Sequence, residues 1–419
     1  MRRTALGKWS PLELSFDGWL LFGSRAIRLF SYGLLSVILA LYLAAVGMTD
    51  RQIGLLLTCT LVGDAFLSLL IARVADQVGR RRMLLVGAGL MVLVGVVFAT
   101  TNNLLLISIV AFVGVLSPTG NEAGPFIAIE QAALAHISED RQRTRVFAWY
   151  NLVGSLATAF GALAGGALAS TFQQWGHTAI QSYRALFGVS AVLGIGLGIV
   201  FLILSVRVEV PPAVGSRATG LTGLHQSRGI VKNLSALFFV DSFAGGLVVQ
   251  SLLAYWFHLR FGADVTTLGQ LFFWVHIVAG LSALVAARIA ARIGLINTMV
   301  FTHIPANVFL LLTPLMPNLS LAMAMCVLRY SVAQMDVPAR HSYLMAVVLP
   351  DERSAAAGMT TFARTAGSAL APSITGALLS GAFLSLPFFF AGSLKIAYDL
   401  ALYVCFRHLK PPEEQESKK

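Results

Sequence analysis

The chain has 419 residues, 57% of them hydrophobic and only 12% charged. Soluble domains carry about 25% charged residues, so this balance excludes an ordinary soluble enzyme and indicates a polytopic membrane protein. The net charge of +11 falls mostly in alternate loops, as orientation by basic loops produces, and is no sign of nucleic-acid binding.

About twenty apolar residues cross a bilayer, and about twelve such runs follow one another. They cover residues 16–46, 52–73, 83–101, 103–136, 146–171, 183–206, 233–258, 267–290, 298–316, 318–348, 355–381 and 385–406. Met1-Arg2-Arg3 is basic, but the first run is long and carries arginines, so it reads as a retained span and not as a signal peptide. A charge at the centre of a span costs about 2.5–3.5 kcal/mol on insertion scales, so each needs a partner, a cavity or a purpose. In the first span Arg25, Arg28 and Tyr32 follow helical spacing and share a face. Two readings stand: the arginines pair with acids on neighbouring helices or snorkel, or they form a cationic wall for an anionic substrate.

The second span ends in Ala72-Arg73-Val74-Ala75-Asp76, turns at Gly79, shows Arg80-Arg81-Arg82 and re-enters an apolar run. This stretch resembles the loop between the second and third helices of the major facilitator superfamily, G-x-L-a-D-r-x-G-r-k-x-x-l. Asp76, Gly79, Arg80 and Arg81 match, whereas Ala72 replaces the opening Gly and Gln77 the usual basic residue. The resemblance implies an all-α membrane protein of two pseudo-symmetric six-helix halves. It places a substrate site between the halves near the bilayer centre, walled by spans one, four, seven and ten. It also implies that Asp76, with Arg80 and Arg81, latches the cytoplasmic side against the positive end of the eleventh helix.

The fourth span is interrupted by Ser117-Pro118-Thr119-Gly120-Asn121-Glu122-Ala123-Gly124-Pro125. Such a break persists in lipid only where protein or water satisfies the backbone. Either it is a kink whose acids, Glu122 and Glu130, pair with Arg25 or Arg28, or it lines a cavity with Asn121 as a ligand and Glu122 as a proton carrier. In the fifth span Gly161 to Gly166 resembles the G-P-x-x-G-G signature of drug–proton antiporters, with Ala162 in place of Pro; small residues at this spacing also allow close packing.

The polar stretch from Val208 to Val231 divides the runs six and six and reads as a linker over the membrane surface. The expected organisation is a first half at 1–206, a cytoplasmic linker at 207–232, a second half at 233–410 and a charged tail at 411–419. The halves look like copies: Ala72 to Gly79 aligns with Ala287 to Gly294, and Glu139-Asp140-Arg141 with Asp351-Glu352-Arg353 at nearly the same offset.

In the seventh span Asp241 and Gln250 are candidate ligands. The tenth carries a polar stripe, with Arg329, Ala333, Asp336 and Arg340 at i, i+4, i+7 and i+11 and Gln334 beside them. That face belongs inside the bundle, where it either binds substrate or knits helices together. Asp64 and Arg364 read as structural pairs, Lys395 and Asp399 as neutralising one another at i, i+4, and His276 and His303 as satisfied interior histidines.

Cys59, Cys326 and Cys405 fall in spans and lack metal-ligand spacing. No phosphate-binding glycine loop, nucleophile elbow or zinc motif is present, so no cofactor and no enzymatic chemistry is expected. The functional expectation is a monomeric secondary transporter in the cell inner or plasma membrane, both termini cytoplasmic. It moves a small organic solute, with efflux of a small organic or an anionic or zwitterionic compound favoured and protons as the coupling ion at Glu122, Asp241 or Asp336. The alternatives are a transporter-like sensor and a polytopic lipid-modifying enzyme.

Overall fold

The computed structural model describes residues 14–121, 126–137, 143–205, 208–209, 224–349, 351–381 and 384–409, without the side chains of 72–73, 76–77, 143–144, 287 and 354. Among these residues the regular structure is entirely helical. The first half runs α1 (Phe16–Ala45), α2 (Asp50–Val78), α3 (Arg80–Thr100), α4 (Leu104–Val113), α5 (Phe126–Ile137), α6 (Arg143–Gln174) and α7 (Ala179–Ile203). The second runs α8 (Arg228–Gly246), α9 (Gln250–Phe261), α10 (Val265–Ile293), α11 (Leu295–Leu312), α12 (Leu319–Ala333), α13 (Asp336–Val347), α14 (Arg353–Leu379) and α15 (Leu386–Phe406). Nine described stretches are long and apolar enough to cross a membrane, α8 and α9 counting as one. The pair α4–α5, the pair α12–α13 and α14 supply the fourth, tenth and eleventh crossings. The charged tail, the Glu139-Asp140-Arg141 match and most of the expected linker lie outside the described residues, and the last residues assigned to the linker already belong to α8, which begins at Arg228.

Local chemistry separates the two ends of the bundle. At the arginine-poor end, helices begin on side-chain caps. Thr49 and Thr178 form capping boxes with Gln52 and Gln181, and Asn103, Asp264 and Asn318 accept from the first-turn N–H groups. At the arginine-rich end, the α2–α3 and α10–α11 turns each pivot on one glycine, Gly79 at φ 110° and Gly294 at φ 88°. Side chains with a Cβ rarely adopt that backbone region, so the two aligned glycines mark the same turn of a duplicated unit.

Apolar stripes face outward. On α7, Val192, Ile195, Ile199 and Leu202 recur at helical spacing and are exposed, as a lipid-facing surface requires. Inside, every residue of α1 from Ser31 to Leu43 is buried, because α1 is packed between α6, α7 and α9. Gly161 and Gly165 of α6 lie against the α1 backbone at Phe30 and Leu34, so the glycines of the fifth span serve close packing.

The halves meet where α2 packs on α14, α6 on α10 and α1 on α9. The α2–α14 seam is tightest at Gly54 and Gly376. A Cβ on Gly54 would lie 2.4 Å from the Pro372 carbonyl oxygen, and one on Gly376 2.4 Å from that of Asp50.

Candidate functional site

Among the described residues three spans are broken within their length, and the breaks of the fourth and seventh are satisfied by neighbouring helices. Between α4 and α5, the Pro118 carbonyl accepts the Ser251 N–H at 3.0 Å and its hydroxyl at 2.9 Å, from the start of α9 in the other half. Between α8 and α9, the Leu247 carbonyl accepts the Thr375 hydroxyl at 2.7 Å. Gln250, the first residue of α9, donates to Ser36 of α1 at 2.8 Å and meets His276 at 2.8 Å. The Ser36 carbonyl accepts the Ser251 hydroxyl at 2.9 Å. Irregular backbone inside lipid demands such partners. The break in the seventh span, at Leu247-Val248-Val249, and that in the tenth, at Gln334-Met335, carry no interior proline and were missed by the sequence reading.

A cavity of about 360 Å³ opens at these breaks, between the halves. Thr119 and Asn121 reach it from the first half. Every described charged group on its wall comes from the second half: Asp241, Arg329, Asp336, Arg340, Arg364 and Lys395. Gln250 and Gln334 also line it. Except for Arg364, which is half-buried, these charged residues are only 3–8% exposed. The stripe of the tenth span does face the cavity, but across two helices, since α12 ends at Ala333 and α13 restarts at Asp336.

The charges form a network. Arg340 bridges Asp336 at 2.9 Å and Asp241 at 3.5 Å, and Lys395 contacts Asp241 at 2.5 Å. Lys395 and Asp399 therefore do not neutralise one another as i, i+4 spacing implies; Lys395 turns across to α8. Asp399 faces the other way and meets the His303 ring at 2.8 Å and the Asn307 amide at 2.9 Å. His303 stands between two carboxylates, its Nε2 3.9 Å from Asp241. Its participation, and that of Lys395, were missed, although the only signal needed was an ionisable residue inside a span.

The candidates of the first span sit elsewhere. Arg28 and Glu130 form a fully buried ion pair, with contacts of 2.7 and 2.9 Å. Glu130 also accepts from Ser24 at 2.7 Å and from the Tyr150 hydroxyl. Arg25 donates to Asn151 at 3.2 Å and lies over the Tyr150 ring. Tyr32 is buried in the same cluster of the first half. These three residues are not on the cavity wall, so the pairing reading holds for Arg28. Glu122 lies outside the described residues.

The loop after α2 is tied within its own half. Glu209 accepts the backbone N–H groups of Arg80 and Arg81 at 2.8 and 3.1 Å, an anion at the start of α3. The Arg81 guanidinium donates to the Phe201 and Leu202 carbonyls at the end of α7. The Asp76 side chain is not among those described. In the second half, Glu352 gathers the N–H groups of His225, Gln226 and Ser227 just before α8. Burial alone would raise its pKa; the bonds from Ser227, His225 and Gln226 prevail and draw it down to about 2. His225 in turn rests on Asp351 at 2.9 Å, a hydrogen bond that raises the imidazole pKa.

The model of the major facilitator superfamily matches residues 21–372, and the chain belongs to that superfamily of multi-pass membrane transporters. It is 30% identical over 422 residues to an uncharacterized membrane protein of Saccharomyces cerevisiae, covering 94% of each chain. Its fold is similar to that of the nucleoside transporter NupG, with a TM-score of 0.72 at 15% identity over 94% of this chain and 99% of that one. It is also similar to the xylose transporter XylE from E. coli in a partially occluded inward open conformation, with a TM-score of 0.70 at 12% identity over 95% and 99%. At such identities the likeness to solved structures establishes the fold.

Proposed function

We propose that this protein is a proton-coupled secondary transporter that exports a small anionic or zwitterionic organic solute by alternating access. The observation that carries the proposal is the cavity between the halves, whose wall brings Asp241, Asp336 and four basic side chains together beside the neutral Thr119 and Asn121. Buried charge at mid-depth is costly and marks a substrate or ion pathway.

Alternating access needs a seam that can open. The contacts across the seam, from the helix breaks toward the arginine-poor end, are hydrogen bonds between neutral groups and small-residue packing: Gln250 to Ser36, Ser251 to Pro118 and the Ser373 N–H to Thr58 at 2.9 Å, with Tyr255 to Asp50 at 2.7 Å. Each such bond is worth about 0.5–1.5 kcal/mol net, so the seam amounts to a few kcal/mol, a scale that differential binding of a solute can offset. Proton exchange is assigned to Asp241 and Asp336, since a solute anion entering the same cavity disfavours a second ionised carboxylate beside it. Export as the direction rests on the resemblance of the fifth span to the antiporter signature.

Purified protein in proteoliposomes provides the test. Counterflow of a labelled solute, accelerated by an imposed proton gradient, is expected. Counterflow indifferent to the gradient removes the coupling, and no counterflow for any anionic, zwitterionic or neutral solute removes the transport proposal.

A further inference from the structure

The charges on the cavity wall do not balance, and the imbalance has a location. Asp241 and Asp336 are the carboxylates on the described wall, and both are engaged: Asp336 by Arg340, Asp241 by Arg340 and Lys395. Arg329 of α12 and Arg364 of α14 line the same cavity, and among the described residues neither has a carboxylate within ion-pairing distance. Arg329 is only 8% exposed, and its buried Nε and Nη1 find no hydrogen-bond acceptor. Its guanidinium lies over the Tyr330 ring, 4.8 Å from the centroid, which holds the cation in place without neutralising it.

A buried guanidinium with unsatisfied donors is expensive, and the expense is relieved only when an acceptor arrives. The guanidinium fork matches carboxylate and phosphate oxygens in two parallel hydrogen bonds. The remaining wall, from Asn121, Thr119 and Gln334, presents neutral hydrogen-bonding groups suited to hydroxyls or amides. We infer that the solute carries a compact oxyanion head, a carboxylate or a phosphate, which is taken up by Arg329 and Arg364, while Arg340 and Lys395 stay with the protein's own carboxylates. This rests on the transport proposal and narrows it: the head is an anion, two named side chains hold it, and the first half contacts the uncharged part.

The test is binding to the full-length protein in detergent. Thermal stabilisation and tryptophan fluorescence are measured with inorganic phosphate, glycerol phosphate and succinate, against the neutral probes xylose and uridine and the cation choline. At least one oxyanion is expected to bind, and the phosphate and succinate arms identify which head the site takes. Charge-assisted hydrogen bonds of the strength expected here make Arg329→Gln and Arg364→Gln each weaken that binding by about 10–100-fold. The unliganded variants should melt no lower than the parent, because among the described residues no carboxylate is in direct contact with the side chain removed. A variant that melts far lower or fails to fold overturns the inference, since it shows the arginine to be a structural partner. Unchanged oxyanion affinity in both variants, or binding of the neutral or cationic probes alone, overturns it as well. Counterflow of a neutral solute without oxyanion binding would sink this inference and leave transport standing; oxyanion binding at these residues without any counterflow would do the reverse.

Discussion

Glu130 offers a direct measure of how the first half holds its charges. Its carboxylate accepts from Arg28 twice, from Ser24 and from Tyr150, with both members of the ion pair fully buried. At the 2.7 Å contact, an effective dielectric of about 20 gives an attraction of about 6 kcal/mol, which offsets a desolvation cost of several kcal/mol per ion. Glu130→Gln keeps the shape and an acceptor oxygen but removes the negative charge set against Arg28, so a loss of about 3–5 kcal/mol is expected. Removing both charges, as Arg28→Met with Glu130→Leu, should recover most of that loss, because two apolar groups need no partner. The assay is the SDS-titration midpoint in mixed micelles, run as a double-mutant cycle, with counterflow measured on each protein that folds. Glu130→Gln as stable as the parent, or a double variant worse than the sum of its parts, would refute the reasoning. A stable double variant that has lost transport would instead return Arg28 to the substrate wall.

The Gly54–Gly376 seam should behave as a spacer whose width sets which end is closed. Gly376→Val places a side chain 2.4 Å from the Asp50 carbonyl oxygen, an overpacking cost of about 1–3 kcal/mol that separating α2 from α14 relieves. A cysteine introduced by Val249→Cys should then label faster with a maleimide from the arginine-poor face, with transport reduced; parental labelling and transport would show the seam is not a gate. At the start of α8, the Glu352 carboxyl is drawn from its ordinary value of 4.5 to about 2, so its contribution to stability is present above pH 4.5 and lost as pH falls toward 2. Glu352→Gln should therefore lower the unfolding midpoint at neutral pH, and the gap from the parent should close on acidification; a gap independent of pH would assign the cap to the oxygen alone and not to its charge.

The sequence by itself determined the class of the molecule and the interior placement of its charges. Apolar runs of bilayer length, basic residues in alternate loops and the glycines at 79 and 294 follow from local chemistry: the cost of a charge in lipid, the resistance of basic loops to translocation, and the backbone region open to a residue without Cβ. That Asp241, Arg329, Asp336 and Arg340 look inward was legible for the same reason, since a helix can hide them in only one direction. Which acid meets which base was decided by the tertiary structure alone. Lys395 has an acid at i+4, yet it crosses to Asp241 on another helix because the packing of α8 against α15 brings them within 2.5 Å. Arg28 and Arg25 were equal candidates for the cavity until the fold set Glu130 beside Arg28 and put both arginines behind the wall. Helical periodicity fixes which residues share a face, but it carries no information about the neighbour across the gap. Here that neighbour decides which cations are neutralised and which are left for a solute.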